Sequence, residues 1–145
     1  MSTTGLRVQP RTETNSVVWL RRFLALDAAV TGANGLVYLV ASGPVGRLLG
    51  VEGNLLLGVG VFLTLYGAGV AYLAGRPRPA VPAVQAVIAT NALWVILSVV
   101  ALTVWFGDLR VVGSIWIPMQ AVVVGGFALL QYQTLRRVRA GASRR

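Results

Sequence analysis

Long apolar stretches alternate with short polar breaks along the whole chain. The apolar stretches run Phe23 to Ala41, Leu55 to Ala74, Ala83 to Phe106 and Ile115 to Tyr132. Each is about long enough, as a helix, to cross a hydrocarbon core of roughly 30 Å. The pattern predicts an all-α polytopic membrane protein, a bundle of four transmembrane helices with spans at about 18–41, 55–74, 83–106 and 115–133. In lipid the backbone must satisfy its own hydrogen bonds, which favours helices for every crossing. The polar breaks define the rest. Residues 1–16 read as a polar, disordered tail, residues 17–135 as the membrane domain, and residues 136–145 as a basic cytoplasmic tail.

The breaks are chemically distinct. Ser42-Gly43-Pro44 stops the first span, and Val45 to Leu49 reads as a short interfacial segment. In Gly75 to Pro82, three prolines within six residues force a stiff, extended connection. It divides the chain into two tandem helical hairpins. Ser114 reads as the N-cap of the last helix, which puts Pro118 in its first turn. A start near Arg110 would instead place Pro118 inside the helix. The first apolar run is longer than the core of a cleaved signal peptide, so it reads as a retained span.

The halves share short runs. Ala33-Asn34-Gly35-Leu36 aligns with Thr90-Asn91-Ala92-Leu93, and Val59-Gly60-Val61-Phe62 with Val124-Gly125-Gly126-Phe127. A duplication would relate the hairpins by an axis along the membrane normal. Small residues recur at four-residue spacing, as in Ala28/Gly32, Gly67/Ala71/Gly75 and Ala121/Gly125, a spacing that lets helices approach closely.

Composition strengthens the membrane reading. Apolar residues make up 56% of the chain and charged residues 12%, against about a quarter charged in soluble domains. All 13 basic residues are arginine. Arg7, Arg11, Arg21, Arg22, Arg76, Arg78, Arg136, Arg137, Arg139, Arg144 and Arg145 fall on one side of a four-span topology. Arg47 and Arg110 fall on the other. The positive-inside rule then places both termini in the cytoplasm of a bacterial inner membrane. The net charge of +9 is a topology signal, not a nucleic-acid footprint. Arg136, Arg137 and Arg139 are expected to meet anionic lipid headgroups. Cysteine and histidine are absent. That removes disulfides, thiol chemistry and the commonest metal ligands, so neither a metal nor a cofactor is expected.

Within the spans, one face of the first helix is polar: Asp27, Thr31, Asn34 and Tyr38. The third helix carries Asn91, Trp94, Ser98 and Trp105, with Gln85 half a turn away. Counting from the nearest arginines places Asn34 and Asn91 together near the midplane. Asp27, Gln85 and Gln131 form a shallower layer, and Tyr38 and Gln120 lie further out with Ser98. The candidate ligand or proton-pathway residues are therefore Asp27, Thr31, Asn34, Tyr38, Asn91, Trp94, Ser98 and Gln120. The amides and hydroxyls also serve as interhelical glue. Asp27 reads equally as a pathway residue or as a structural one, paired with Arg21, Arg22 or a headgroup. Trp19, Trp105 and Trp116 read as interfacial anchors. Trp94 is deeper and reads as packing or as a ligand-stacking surface.

The run Leu26-Asp27-Ala28-Ala29-Val30-Thr31-Gly32-Ala33-Asn34-Gly35-Leu36 is followed by Gly43-Pro44 and Leu48-Leu49-Gly50. With Ala92-Leu93-Trp94 and Gln120 to Phe127, it resembles an uncharacterised family of small four-helix integral membrane proteins from high-GC bacteria. DoxX-like proteins are similar only in architecture. The resemblance covers residues 18–133 and implies topology without a reaction. Three functions stay open. The first is binding of a lipid, an apolar small molecule or a membrane partner in a polar midplane pocket, with a homo-oligomer or a partner membrane protein as candidate assemblies. The second is proton-coupled transport with Asp27 as carrier, similar to the small multidrug-resistance family, although that family's glutamate context is missing. The third is an intramembrane enzyme on a lipid or isoprenoid, weakened by the single titratable side chain.

Overall fold

A computed structural model describes residues 11–143 apart from residue 106, with only the backbone described for residues 11–13. It contains four helices: α1 (Arg11–Leu49), α2 (Gly53–Gly75), α3 (Val81–Val104) and α4 (Val111–Ala142). All four are long and apolar enough to cross a membrane. The chain is thus a multi-pass helical bundle. Its outer surface suits lipid, since large side chains such as Val40, Leu65, Val104 and Val122 are exposed on every helix.

Several helix ends differ from the sequence-based boundaries. Helix α1 begins at Arg11, so the segment 11–16 continues the first span; residues 1–10 lie outside the described residues. Ser42-Gly43-Pro44 bends the helix instead of ending it. Ala41 leaves helical geometry (φ −129°, ψ 31°), and a short second segment carries Pro44 on to Leu49. Pro44 falls in the first turn of that segment, where a missing N–H costs nothing. Helix α4 starts at Val111, with Arg110 as its N-cap. Ser114 is not the cap, and its hydroxyl turns back to donate to the Arg110 carbonyl (3.2 Å). Pro118 consequently lies inside α4 and deprives the Ser114 carbonyl of its usual donor. The C-terminal arginines up to Arg139 ride on α4, which continues to Ala142; Arg144 and Arg145 lie outside the described residues, as does Phe106.

Packing follows a ring order α2–α1–α4–α3. Helix α1 packs closely on α2 and α4, α3 packs on α4, and the α2 and α3 backbones come close at few points. A twofold duplication would make the α2–α3 contact the equal of the α1–α4 contact. The bundle breaks that equivalence, with the backbones of α2 and α3 standing apart and side chains joining them.

The α1–α2 seam explains its own closeness. The buried positions of α2 are Leu56, Gly60, Leu63, Gly67 and Val70, a three-four spacing of the coiled-coil type. They face Leu24, Ala28, Thr31, Gly35 and Tyr38, also buried. A methyl group at Gly67 would lie 3.0 Å from Gly32 Cα, and one at Gly60 2.9 Å from Leu39 N. Of the small residues singled out by spacing, Ala28, Gly32 and Gly67 serve this seam, while Ala71 and Gly75 are exposed. The close approach follows from the lack of a Cβ.

The two ends are tied by backbone contacts. At the end away from the arginine-rich face, Gly50 takes a left-handed conformation (φ 78°). The Arg110 N–H then donates to the Leu49 carbonyl (3.2 Å), and Gly113 packs directly on that carbonyl. At the opposite end Arg21 Nε donates to the Ala74 carbonyl (2.9 Å), locking α1 to the C-terminus of α2. Leu20, Leu24, Val70, Val84 and Leu135 form an apolar plug around that end.

Candidate functional site

Asp27 is fully buried, and three helices supply its donors. Asn91 Nδ2 of α3 donates to Oδ2 at 2.7 Å, and Gln131 Nε2 of α4 donates to the same oxygen at 2.8 Å. Thr31 Oγ1, one turn along α1, donates to Oδ1 at 3.1 Å. Tyr66 of α2 completes the set by donating to Asn91 Oδ1 (3.0 Å). Its hydroxyl also approaches the Val87 carbonyl (3.2 Å). All four helices thus meet in one hydrogen-bonded knot around a single carboxyl group. Among the described residues no buried side-chain nitrogen or oxygen lacks a partner, as burial of polar groups requires. Neither Arg21 nor Arg22 joins the knot. Arg21 bonds the Ala74 carbonyl, and Arg22 lies over the Trp19 ring at 5.1 Å.

Beside the knot lies a cavity of about 160 Å³ to which all four helices contribute. Thr31 and Asn91 show it one side while their polar ends serve Asp27. The aromatic wall is Phe62, Tyr66, Trp94 and Trp116. Phe62 stacks near Tyr66 (ring centroids 5.8 Å) and lies almost parallel to Trp94 (6.5 Å, 13°). Asn34 and Thr90 also line the space. Neither side chain is hydrogen-bonded to the described protein, and both are half-buried. Side chains cross from α2 to α3 at this level, Tyr66 to Val87 and Asn91 and Phe62 to Trp94.

Further from the arginine-rich end, a second node forms on Tyr38. Its hydroxyl accepts from Trp116 Nε1 (2.8 Å) and Gln120 Nε2 (2.9 Å). Ser98 is buried and donates to the Trp94 carbonyl (2.8 Å). Tyr38, Trp94, Ser98, Trp116 and Gln120 line an adjoining apolar space of about 380 Å³, with Val59, Leu97 and Ala101 among its walls. Trp94, Trp116 and Gln120 border both spaces, so these three side chains form the wall between them.

All eight sequence candidates fall in this region, in a changed arrangement. Asp27 lies in the knot and does not line the cavity; Asn34 lines it and is unbonded. Asn91 bonds Asp27 and also lines the cavity with Asn34. Gln85 is exposed and takes no part. Trp116 turns its indole N–H inward to Tyr38. Tyr66 escaped sequence reasoning because an isolated tyrosine reads as packing. Among the described residues no three acidic side chains gather as a cation site needs.

No protein-family model matches the chain, and neither a curated protein nor a solved structure shows significant similarity to it.

Proposed function

We propose that the protein binds a lipid or another apolar small molecule, taken from the bilayer between α2 and α3. The observation that carries this reading is the cavity itself, walled by all four helices beside a buried polar cluster. The backbones of α2 and α3 stand apart and are bridged there by side chains, Tyr66 to Val87 and Asn91 and Phe62 to Trp94, so movement of those side chains would admit a ligand from lipid. The unbonded Asn34 and Thr90 supply the few polar groups that fix orientation in a mostly apolar pocket. Asp27 supports binding over proton carriage, because its oxygens are engaged by Thr31, Asn91 and Gln131 and it is absent from the cavity wall.

Native mass spectrometry on protein released with its own lipid tests this. The expected result is a defined added mass on the wild type that is lost from Val124→Trp, a substitution that fills the cavity from α4. The unfolding midpoint of the variant should remain near that of the wild type. Retention of the mass by the variant, or bare protein in both samples, overturns the reading.

The arginine distribution supports an orientation with both termini in the cytoplasm of a bacterial inner membrane, and Arg136, Arg137 and Arg139 among anionic headgroups. The chain has no cysteine, so single introduced thiols report topology cleanly. Asp108→Cys should react with an impermeant maleimide in intact spheroplasts, and Ser143→Cys only after lysis. The reverse pattern inverts the orientation.

A further inference from the structure

The cavity has a definite size and a definite lining, and together they narrow the ligand. A dry core cavity of about 150 Å³ accepts one benzene molecule. The volume here, about 160 Å³, therefore suits one six-membered ring. The walls suit a flat guest. Phe62 and Trp94 are within 13° of parallel, and Tyr66 and Trp116 complete an aromatic lining. Aromatic faces and edges favour aromatic guests by about 0.5–1.5 kcal/mol beyond the area they cover. A saturated chain uses none of that preference.

The geometry points to a ligand with one planar ring bearing a hydrogen-bonding oxygen, of the phenol or ring-ketone class, and an apolar tail. The ring occupies the midplane cavity. Its oxygen meets the Asn34 amide, which has no hydrogen-bond partner among the described residues, with the Thr90 hydroxyl as a second unengaged group. An amide offers both a donor and an acceptor, so it accommodates either a hydroxyl or a carbonyl oxygen. The tail continues past Trp94 and Trp116 into the adjoining space, where Leu55, Val59, Leu97 and Ala101 present an apolar lining. This assignment rests on the pocket reading above and adds the chemical class of what fills it.

Three probes separate the contributions: 4-octylphenol, octylbenzene and a straight-chain alcohol of equal length. Each is titrated into detergent-solubilised protein, and binding is read as a rise in unfolding midpoint and as a change in tryptophan emission. The phenol is expected to bind about tenfold or more tightly than the alcohol, equivalent to about 1.4 kcal/mol. In Asn34→Leu the advantage of the phenol over octylbenzene should vanish while octylbenzene binding persists. In Trp94→Leu the emission change should shrink to what Trp116 reports, and both ring compounds should weaken. If the alcohol matches the phenol, the ring assignment fails and the pocket reading stands. If Asn34→Leu leaves the phenol's advantage intact, the role of the amide is overturned. If none of the three binds while native lipid is still found on the protein, the ligand class proposed here is wrong. If none binds and no native lipid is found, both readings fall.

Discussion

Replacing Asp27 by alanine is expected to lower the stability of the bundle by about 3 kcal/mol, whereas Asp27→Asn should cost about 1 kcal/mol or less. The difference follows from the donors. Alanine removes the acceptors for Asn91 Nδ2, Gln131 Nε2 and Thr31 Oγ1. Buried donors left unmade cost about 1–3 kcal/mol each in soluble proteins. Interhelical bonds in bilayers average about 0.6 kcal/mol, so the sum lies between those limits. Asparagine keeps an oxygen where two donors converge. Its amide nitrogen then faces the Thr31 hydroxyl, which can accept and turn its own proton to a backbone carbonyl. Thermal unfolding in detergent micelles measures both variants. Equal losses in the two would mean that the charge, not the hydrogen-bond pattern, matters. No loss in either would mean that the knot contributes nothing.

The second large effect is expected at Gly35, where substitution by alanine should cost about 2 kcal/mol, within the range for overpacking. A Cβ there would lie 2.6 Å from both Thr64 N and Thr64 Oγ1 and 3.0 Å from the Leu63 carbonyl carbon. Those are mostly main-chain atoms of α2, so relief requires the helices to separate. Separation would loosen the α1–α2 seam at Gly60 and Gly67 as well. Gly58→Ala and Gly69→Ala are the matched controls. Open space surrounds both positions, and alanine is the better helix former by up to about 1 kcal/mol. Both should be neutral or slightly stabilising. A Gly35→Ala protein as stable as these controls would show that the seam yields without penalty.

The number of helices and the polar face of α1 were legible because both depend on local pattern. Apolar length marks a span, and Asp27, Thr31 and Tyr38 recur at helical spacing and are all buried. Neighbour relations between helices were not legible. Nothing local says that α2 and α3 stand apart while α1 holds α2 and α4, since that outcome depends on which glycines meet which backbone. Depth counting paired Asp27 with Gln131 correctly, because both counts start from arginines within helices. It did not show that Asn91, which shares the cavity wall with Asn34, also reaches Asp27. Ser114 and Pro118 misled in a related way. The chain starts α4 early because Arg110 is fastened to Leu49, a long-range contact with no signature in the segment itself.

The knot has a consequence for biogenesis. The first hairpin has a complete seam of its own, with Gly35, Gly60 and Gly67 bringing α1 onto α2, and it could enter the bilayer as a unit. Yet apart from Thr31, the donors to its carboxyl group belong to α3 and α4. Until the second hairpin arrives, the first half carries an acid in hydrocarbon with only one of its three donors in place, a costly condition. Insertion of the second hairpin is thereby thermodynamically coupled to the first. A nascent chain that ends after Gly75 thus carries its cost at the same side chain that later secures the finished bundle.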